Sequence, residues 1–511
     1  MHVRLFLLVG LAMISFHRAE AQRAVPLVWS FVNNYSSTYS NDQTWLMWAQ
    51  SPSAQNTTNV FTATYGNGDP INLSSFPTTN PNPQQNYNQL STPVQLSSNG
   101  IASSGMNLTY VNSATLYIGF GNTNPFSSTS APAFQTADFP FMQVEITSTG
   151  AQADVADLTA INYFSFPLSL ESYAAGGISP ANRLQYSGFG TNTASQVFTA
   201  LQSTYSGTAP EIRDVNNDIV RILGPSSTLT VGANGVAPYT TGGYATFQSY
   251  LGVLYTQQEA VSESSTLKLS YTGNGGYTAD ARITDDGNGN YGVVIENVVA
   301  NTLTTPVNVT GSITLFPDTG SGPTENSPTS VTLYGGVLYP DAGSITGELA
   351  ANQPYNGLVD TLLASLSASI VTGAAGSTTA FPGNLATPPL NQYRFQDSNE
   401  WFTQNSPVAA SDPGLFFNDL QSSANYDPYF RVISEMSGYS LYGSPYADRY
   451  SDWSVAVNAT LYGLPSQPIS QWTPVDQMVI TIGPIPEPSS ALLLMGAGVL
   501  GLVRRKRTAC A

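Results

Sequence analysis

Histidine and cysteine are almost missing from this 511-residue chain, and the few copies lie at its ends. The histidines are His2 and His17, and the single cysteine is Cys510. We expect both ends to be removed, so the mature chain would have neither residue. That excludes Ser-His-Asp and Cys-His catalysis, disulfides, thiolate zinc sites and metals held by histidine. The sequence therefore predicts no metal site and no cofactor, and it leaves carboxylates, hydroxyls and aromatic rings for chemistry.

Charge is also scarce, at 9% of residues, and Asp and Glu outnumber Lys and Arg by 32 to 15. Losing four cations at the C-terminal end and a net single positive charge at the N-terminal end would take the formal charge from −17 to −22. A phosphate-binding surface needs clustered Lys and Arg, so nucleic acid and anionic lipid are poor partners. A neutral polymer such as a glycan is a better candidate.

The start of the chain has the pattern of an export signal. Arg4 precedes the apolar run LFLLVGLAMISF, and Ala19-Glu20-Ala21 supplies the small residues that a signal peptidase needs. We expect residues 1–21 to be a signal peptide that is cut after Ala21. The alternative is a short membrane anchor, for which the apolar run is too short.

The end of the chain joins Pro486-Glu487-Pro488 to a short apolar segment and a basic cluster from Arg504 to Arg507. This order resembles the PEP-CTERM sorting signal of Gram-negative bacteria, over residues 484–511. The resemblance implies recognition by an exosortase-type membrane enzyme, removal of the tail, and release or attachment at the cell surface. Membrane contact would then occur only before processing. The alternative is a plain C-terminal anchor, for which the apolar run is again short.

The composition predicts a folded, mainly β protein. Hydrophobic residues are 41% and aromatic residues 11% of the chain, more than a disordered chain carries. Alternating polar and apolar positions predict strands over residues 27–170, in runs such as LVWSFVNN and ATLYIGFG. We predict a β-sandwich or barrel lobe over residues 22–175, a mixed α/β lobe over residues 176–480, and a cleft between them.

Within the second lobe the spacing of apolar residues predicts two helices. One places Phe247 and Tyr255 on one face, and the other runs from Val359 to Ile370 with Gly373 as its stop. Between them, residues 264–338 return to strands. The segment DDGNGN lacks the spacing and the terminal Glu of a calcium loop, so it predicts a hairpin turn.

A family resemblance appears in three runs that follow each other, FGNTNPF, QVEIT and DLTAINYFSFPLSL. Together they resemble glycoside hydrolase family 64, the thaumatin-like β-1,3-glucanases. Further runs match in order: VRILGPSS, the helix with YLGVLY, a strand and turn at VTLYGG, and a late block over residues 429–452. The resemblance implies a thaumatin-like fold that hydrolyses β-1,3-glucan, or a related neutral polysaccharide, by an inverting two-carboxylate mechanism.

The resemblance assigns roles to particular residues, and Glu145 corresponds to the family's general acid. Strand alternation also puts Thr147 beside Glu145 on one face. Asn162 stands where the family has its basic Asp, and an amide cannot take a proton from water. Asp157 and Asp154 are possible substitutes, with turn residues as the alternative reading.

Aromatic residues supply candidates for substrate binding. Tyr163, Tyr442 and Tyr446 could stack on sugar rings or simply pack, and Asp448 matches the family's late block. Three functions stay open: a secreted glucan hydrolase, a glucan-binding or extracellular-matrix protein that has lost catalysis, and a purely structural surface protein. The first two differ in whether a carboxylate faces Glu145 across the site.

Overall fold

The chain is mainly β, as the sequence predicts, with a smaller set of helices. A computed structural model describes residues 26–50, 61–75, 89–127, 130–149, 154–205, 210–231, 239–261, 267–271, 277–301, 306–319, 326–339, 341–350, 356–371, 375, 427–438, 440–441, 443, 455–456 and 475–484.

The strands are numbered β1 to β24 in chain order. They are Leu27–Asn33, Thr44–Gln50, Phe61–Tyr65, Leu73–Ser75, Gln89–Ser91, Val94–Gln95, Met106–Phe120, Phe141–Ser148, Val155–Leu158, Tyr163–Phe164, Leu168–Tyr173, Arg183–Gly188, Glu211–Arg213, Ile219–Leu223, Thr230–Val231, Tyr239–Thr240, Leu267–Tyr271, Tyr277–Asp285, Tyr291–Asn301, Pro306–Val309, Ile313–Leu315, Gly343–Ile345, Val455–Ala456 and Gln477–Ile482.

The helices are numbered α1 to α7 in the same way, and a 3-10 helix covers Gly347–Ala350. They are Ile101–Ser104, Ala194–Gln202, Pro225–Thr228, Gln248–Val261, Pro328–Gly335, Asn356–Val371 and Pro428–Met436. Within the part of the chain that the structure describes, none of them is both long and apolar enough to cross a membrane.

The largest sheet has 13 strands and is organised around the long strand β7. The first half of β7 pairs with β1 and β3, and its second half pairs with β2 and β8. The register with β8 shifts between Val111 and Ala114, where Ser113 has a φ of 50°. A bulge of this kind bends a strand. Because of it, β7 is shared by two parts of the sheet, and β8 and β9 extend from its second half.

The last strand, β24, lies between β1 and β11 and is parallel to β1. Its Met478, Ile480 and Ile482 side chains are fully buried. Strand β12 also joins this sheet, so the sheet takes strands from beyond residue 175. The division into two lobes at that residue stays a prediction.

A second sheet has six strands, β17 to β22, and packs against α4 and α6. Helices α4 and α6 confirm the two helices predicted from apolar spacing, except that Phe247 lies one residue before α4 begins. Gly373, the predicted stop, lies outside the described residues. The predicted hairpin turn is also confirmed, because DDGNGN joins β18 to β19. There the backbone N–H of Gly287 donates to Asp285 Oδ1 at 2.8 Å.

The prediction of a strand and turn at VTLYGG is wrong, because these residues form most of α5. Pro328 begins the helix, and Gly336, with a φ of 65°, ends it by donating its N–H to the Thr332 carbonyl. Every residue from Pro328 to Tyr334 is buried. A short segment that is apolar on all sides has no periodicity that separates a helix from a buried strand.

Candidate active site

Two carboxylates face each other on neighbouring strands of the large sheet. Strands β8 and β9 are antiparallel, with Glu145 directly opposite Asp157. Residues opposed in this way leave the same face of a sheet, with Cβ atoms about 4.5–5.5 Å apart. Both side chains are half-buried. We call Glu145 and Asp157 the acid pair. On the other side of Glu145, its neighbour on β7 is the buried Thr115.

A cavity of about 90 Å³ opens at the acid pair. We call it the acid cavity; its walls are Ser113, Ala114, Thr115, Glu145, Ile146, Thr147, Val155 and Asp157. The Thr147 hydroxyl accepts a hydrogen bond from the Ser113 backbone N–H at 3.3 Å. A polar space of roughly 10–15 Å³ already admits one water. The acid cavity can therefore hold several waters beside the two carboxyl groups.

A chain of buried hydrogen bonds reaches Glu145 from inside the protein. The Tyr163 hydroxyl donates to Gln143 Oε1 at 3.2 Å, and Gln143 Nε2 donates to Glu145 Oε1 at 3.1 Å. The Gln143 side chain is 2% exposed, so it is locked in place. Because the tyrosine donates to the amide oxygen, the amide nitrogen is directed at the carboxyl group. Gln143 therefore holds Glu145 in one orientation.

Burial raises the pKa of Glu145 above its ordinary value, and the hydrogen bond from Gln143 opposes this rise. The charged form of a carboxyl group loses more hydration than the neutral form when it leaves water. Glu145 therefore keeps its proton to higher pH than an exposed glutamate. A general acid needs this property.

Arg221, on β14, is fully buried beside the aromatic rings under the site. Its guanidinium donates to the carbonyls of Phe134 at 2.7 Å, Ala137 at 3.0 Å and Phe139 at 2.7 Å. It also lies 5.3 Å from the centre of the Tyr163 ring. Burial lowers its pKa to about 10, which leaves it charged at neutral pH. Arg221 thus fixes the loop and the ring behind Gln143.

Sequence reasoning missed Gln143, Thr115 and Arg221. Gln143 had a usable signal, because it precedes Glu145 by two residues on a strand and so shares its face. A lone arginine inside the apolar run of VRILGPSS was a signal too, since an unpaired charge is costly to bury.

The side chain of Asn162 is hydrogen-bonded to Ser227. Its Oδ1 accepts from the Ser227 hydroxyl at 3.2 Å, and its backbone carbonyl accepts from the Gly224 N–H at 2.9 Å. Among the described residues, the walls of the acid cavity do not include Asn162. The structure therefore brings Asp157, rather than position 162, next to Glu145.

Asp154 and Tyr163 both serve the protein interior. Asp154 is 1% exposed and accepts from the Thr149 backbone N–H at 2.7 Å and hydroxyl at 2.9 Å, so its carboxyl group bonds inside the protein. Tyr163 is 2% exposed and stacks on Phe134 with ring centres 5.7 Å apart. The expectation that Tyr163 stacks on a sugar ring is therefore corrected: its ring packs, and its hydroxyl positions Gln143.

The late block of the sequence begins in α7. Its predicted site residues, Tyr442, Tyr446 and Asp448, lie outside the described residues. Within the described ranges, no group of three or more His, Cys, Asp or Glu side chains is arranged to hold a metal ion.

Residues 484–507 match the family model for the PEP-CTERM protein-sorting motif. The sorting signal predicted from the sequence is confirmed, and the motif indicates export and surface sorting in Gram-negative bacteria. No curated protein sequence matches the chain.

Three solved structures are similar to the chain at low identity. One is a β-1,3-glucanase domain (GH64) from Clostridium beijerinckii, at 14% identity and a TM-score of 0.47, covering 90% of this chain and 99% of that one. The GH family 64 laminaripentaose-producing β-1,3-glucanase from Paenibacillus barengoltzii has 12% identity and a TM-score of 0.42, with coverage of 91% and 76%. Its complex with laminarihexaose has 11% identity and a TM-score of 0.41, with coverage of 90% and 75%. All three are described as members of glycoside hydrolase family 64, the family whose motifs this sequence resembles.

Proposed function

We propose that the protein is an exported glycoside hydrolase that acts on β-1,3-glucan, with Glu145 as general acid and Asp157 as general base. The observation that carries this proposal is the direct pairing of Glu145 with Asp157 on one face of the sheet. Two carboxyl groups flanking a glycosidic bond are the core requirement of this chemistry. β-1,3-glucan is the first substrate to test because of the motif resemblance.

The surroundings of the two carboxyl groups favour different roles for them. Burial raises the pKa of Glu145, and Gln143 orients its carboxyl group, which suits the residue that protonates the leaving oxygen. Asp157, its partner on β9, also lines the acid cavity. A carboxylate there can take the proton of an attacking water held in the cavity.

An inverting mechanism needs the two carboxyl groups about 6.5–9.5 Å apart, with a water between them. Opposed strand residues begin from a Cβ spacing of about 4.5–5.5 Å. The glutamate side chain extends one methylene further than the aspartate, so the two groups can diverge around a water. Proton NMR during hydrolysis of laminarin should then show the α-anomer as the first product. A first product with the β-anomer would mean retention, with Asp157 as nucleophile.

The main test uses reducing-end release from laminarin by matched variants. Glu145→Gln should abolish activity, and Asp157→Asn should lower it by about 10²- to 10⁴-fold, the usual effect of removing a general base. The control is Asp280→Asn with Glu296→Gln, because Asp280 and Glu296 are also directly opposed, on the second sheet. There Glu296 binds Arg282 at 3.6 Å. Full activity of wild type together with a harmless Asp157→Asn would show that Asp157 is not the base.

A second candidate function, glucan binding without hydrolysis, is favoured by Asn162. The resemblance puts the catalytic base at this position, and here an amide accepts a hydrogen bond from Ser227 instead. Asn162→Asp should raise activity if position 162 once held the base. Affinity electrophoresis on laminarin, cellulose and starch measures binding separately. Selective retardation by laminarin, with no reducing-end release by wild type or by Asn162→Asp, would favour the binding protein over the hydrolase.

A further inference from the structure

A second cavity, of about 190 Å³, is lined by residues of the large sheet, α2 and β14 and shares no lining residue with the acid cavity. We call it the tyrosine cavity, and its lining includes Tyr39, Phe120, Phe166, Asp214 and Asp218. Phe120 and Thr115 are both on β7, five residues apart. That separation is about 17 Å along a strand, and an odd spacing sends the two side chains to opposite faces. The tyrosine cavity is therefore distinct from the acid cavity.

The rings of the tyrosine cavity are packed into a platform. Tyr39 lies flat on Phe120, with ring centres 4.3 Å apart and planes within 6°. Phe120 in turn contacts Phe166 at 4.6 Å. One face of Tyr39 is thus covered by Phe120, and the Tyr39 side chain is half-exposed. The partly exposed Tyr39 ring lines the cavity, so it contributes apolar surface there.

Two carboxylates stand at the rim of the platform, on the turn between β13 and β14. Asp214 Oδ1 accepts from the backbone N–H groups of Asn216 and Asp218, both at 2.9 Å. These bonds, that of Asp218 first, lower the pKa of Asp214 and keep it charged. The pKa of Tyr39 is raised by burial first and then by Asp214 and Asp218, as expected for carboxylates close to its hydroxyl. A charged carboxylate accepts hydrogen bonds only.

We propose that the tyrosine cavity binds one sugar unit of a neutral glycan, with the ring of Tyr39 under the sugar and Asp214 and Asp218 accepting its hydroxyl hydrogens. An apolar wall with a few well-placed polar groups is the usual composition of a small-molecule site. The volume is below the roughly 300–1,000 Å³ of sites for drug-sized ligands, which suits a single ring. A bound cation would need several ring faces directed at one point, whereas here Phe120 covers one face of Tyr39 and packs at a tilt on Phe166.

The test measures binding of laminaritriose by calorimetry in the Glu145→Gln background, so that no ligand is hydrolysed. Two binding events are expected. Tyr39→Ala should weaken one of them by about threefold to tenfold, the range of an aromatic contact, and leave the other unchanged. Tyr39→Phe keeps the ring and should keep binding. Tyr255→Ala is the matched control, because Tyr255 is also half-buried and packs on another ring, Tyr291, at 5.5 Å.

A second variant guards against misfolding of Tyr39→Ala. Asp214→Asn with Asp218→Asn keeps an oxygen acceptor in the turn but removes both charges, and it should weaken the same binding event. Unchanged binding in this variant, or saturable binding of choline in place of the sugar, would overturn the proposal. If wild type fails to hydrolyse laminarin, only the function proposed for the acid pair is refuted, because the tyrosine cavity is measured by binding alone.

Discussion

The last strand can be tested by truncation, because it ends two residues before the sorting motif begins. Strand β24 ends at Ile482, and the motif match starts at residue 484. A variant that stops after Pro484 keeps β24 between β1 and β11, together with the hydrogen bond from Asn34 Nδ2 to the Pro484 carbonyl at 2.8 Å. A variant that stops after Asp476 loses the whole strand. The two variants differ by only eight residues.

The expected difference in stability follows from burial. Met478, Ile480 and Ile482 are fully buried and Val479 is 2% exposed. Burying such a side chain contributes about 1.5–3 kcal/mol, so these residues together contribute roughly 6–12 kcal/mol. Domains are typically stable by only about 5–15 kcal/mol. The variant ending at Asp476 should therefore be unfolded or insoluble.

Urea denaturation followed by circular dichroism gives the free energy of unfolding of both variants. The variant ending at Pro484 should match the exported protein within about 1 kcal/mol, because it keeps all of β24 and its pairing with β1 and β11. Equal unfolding midpoints for the two truncations would refute the conclusion that β24 belongs to the core. Unfolding of both would mean that residues after Pro484 stabilise the fold.

Two further predictions concern acidic groups with raised pKa values. Asp427 is the residue directly before α7, and burial raises its pKa to about 7. The folded state therefore holds this proton more tightly than the unfolded chain does, so the free energy of unfolding should fall as the pH rises from about 4 through 7. The Asp427→Asn side chain can still accept the Phe430 N–H and cannot ionise, so the variant should have a higher melting temperature than wild type at pH 8. The same difference in melting temperature at pH 4 and at pH 8 would contradict this reasoning. If Glu145 is the general acid, kcat/KM on laminarin should fall as the pH rises above its raised pKa. Gln143→Leu should move this fall to higher pH, because it removes a hydrogen bond that favours the charged form of Glu145. A pH profile that Gln143→Leu leaves in place would show that Gln143 does not act through Glu145.

The sequence alone determined much of the local structure of this protein and where its reactive side chains stand in the chain. Composition confined histidine and cysteine to the two ends, and the motif near the C-terminal end identified the sorting signal. Alternation found β1 and 3.6-residue spacing found α4, because those elements bury one face and leave another partly exposed. Helix α6 shows the same spacing although it is buried from Leu362 to Val371, because small Ala and Ser residues stand between its large apolar ones. The same reasoning failed at α5, where every side is buried.

Only the tertiary structure decided which of the candidate residues meet. Local spacing put Glu145 and Thr147 on one face, but strand register chose Asp157 as the partner of Glu145, and a shift of one residue would have turned Asp157 to the other face. The tyrosine cavity joins Tyr39 to Asp214, which are far apart in the chain. Burial, a property of the whole fold, turned Tyr163 from a candidate for sugar stacking into a residue that positions Gln143. The spacing of apolar residues along the chain reveals whether a segment is a strand or a helix. Register, burial and long-range contacts depend on how all the elements pack together.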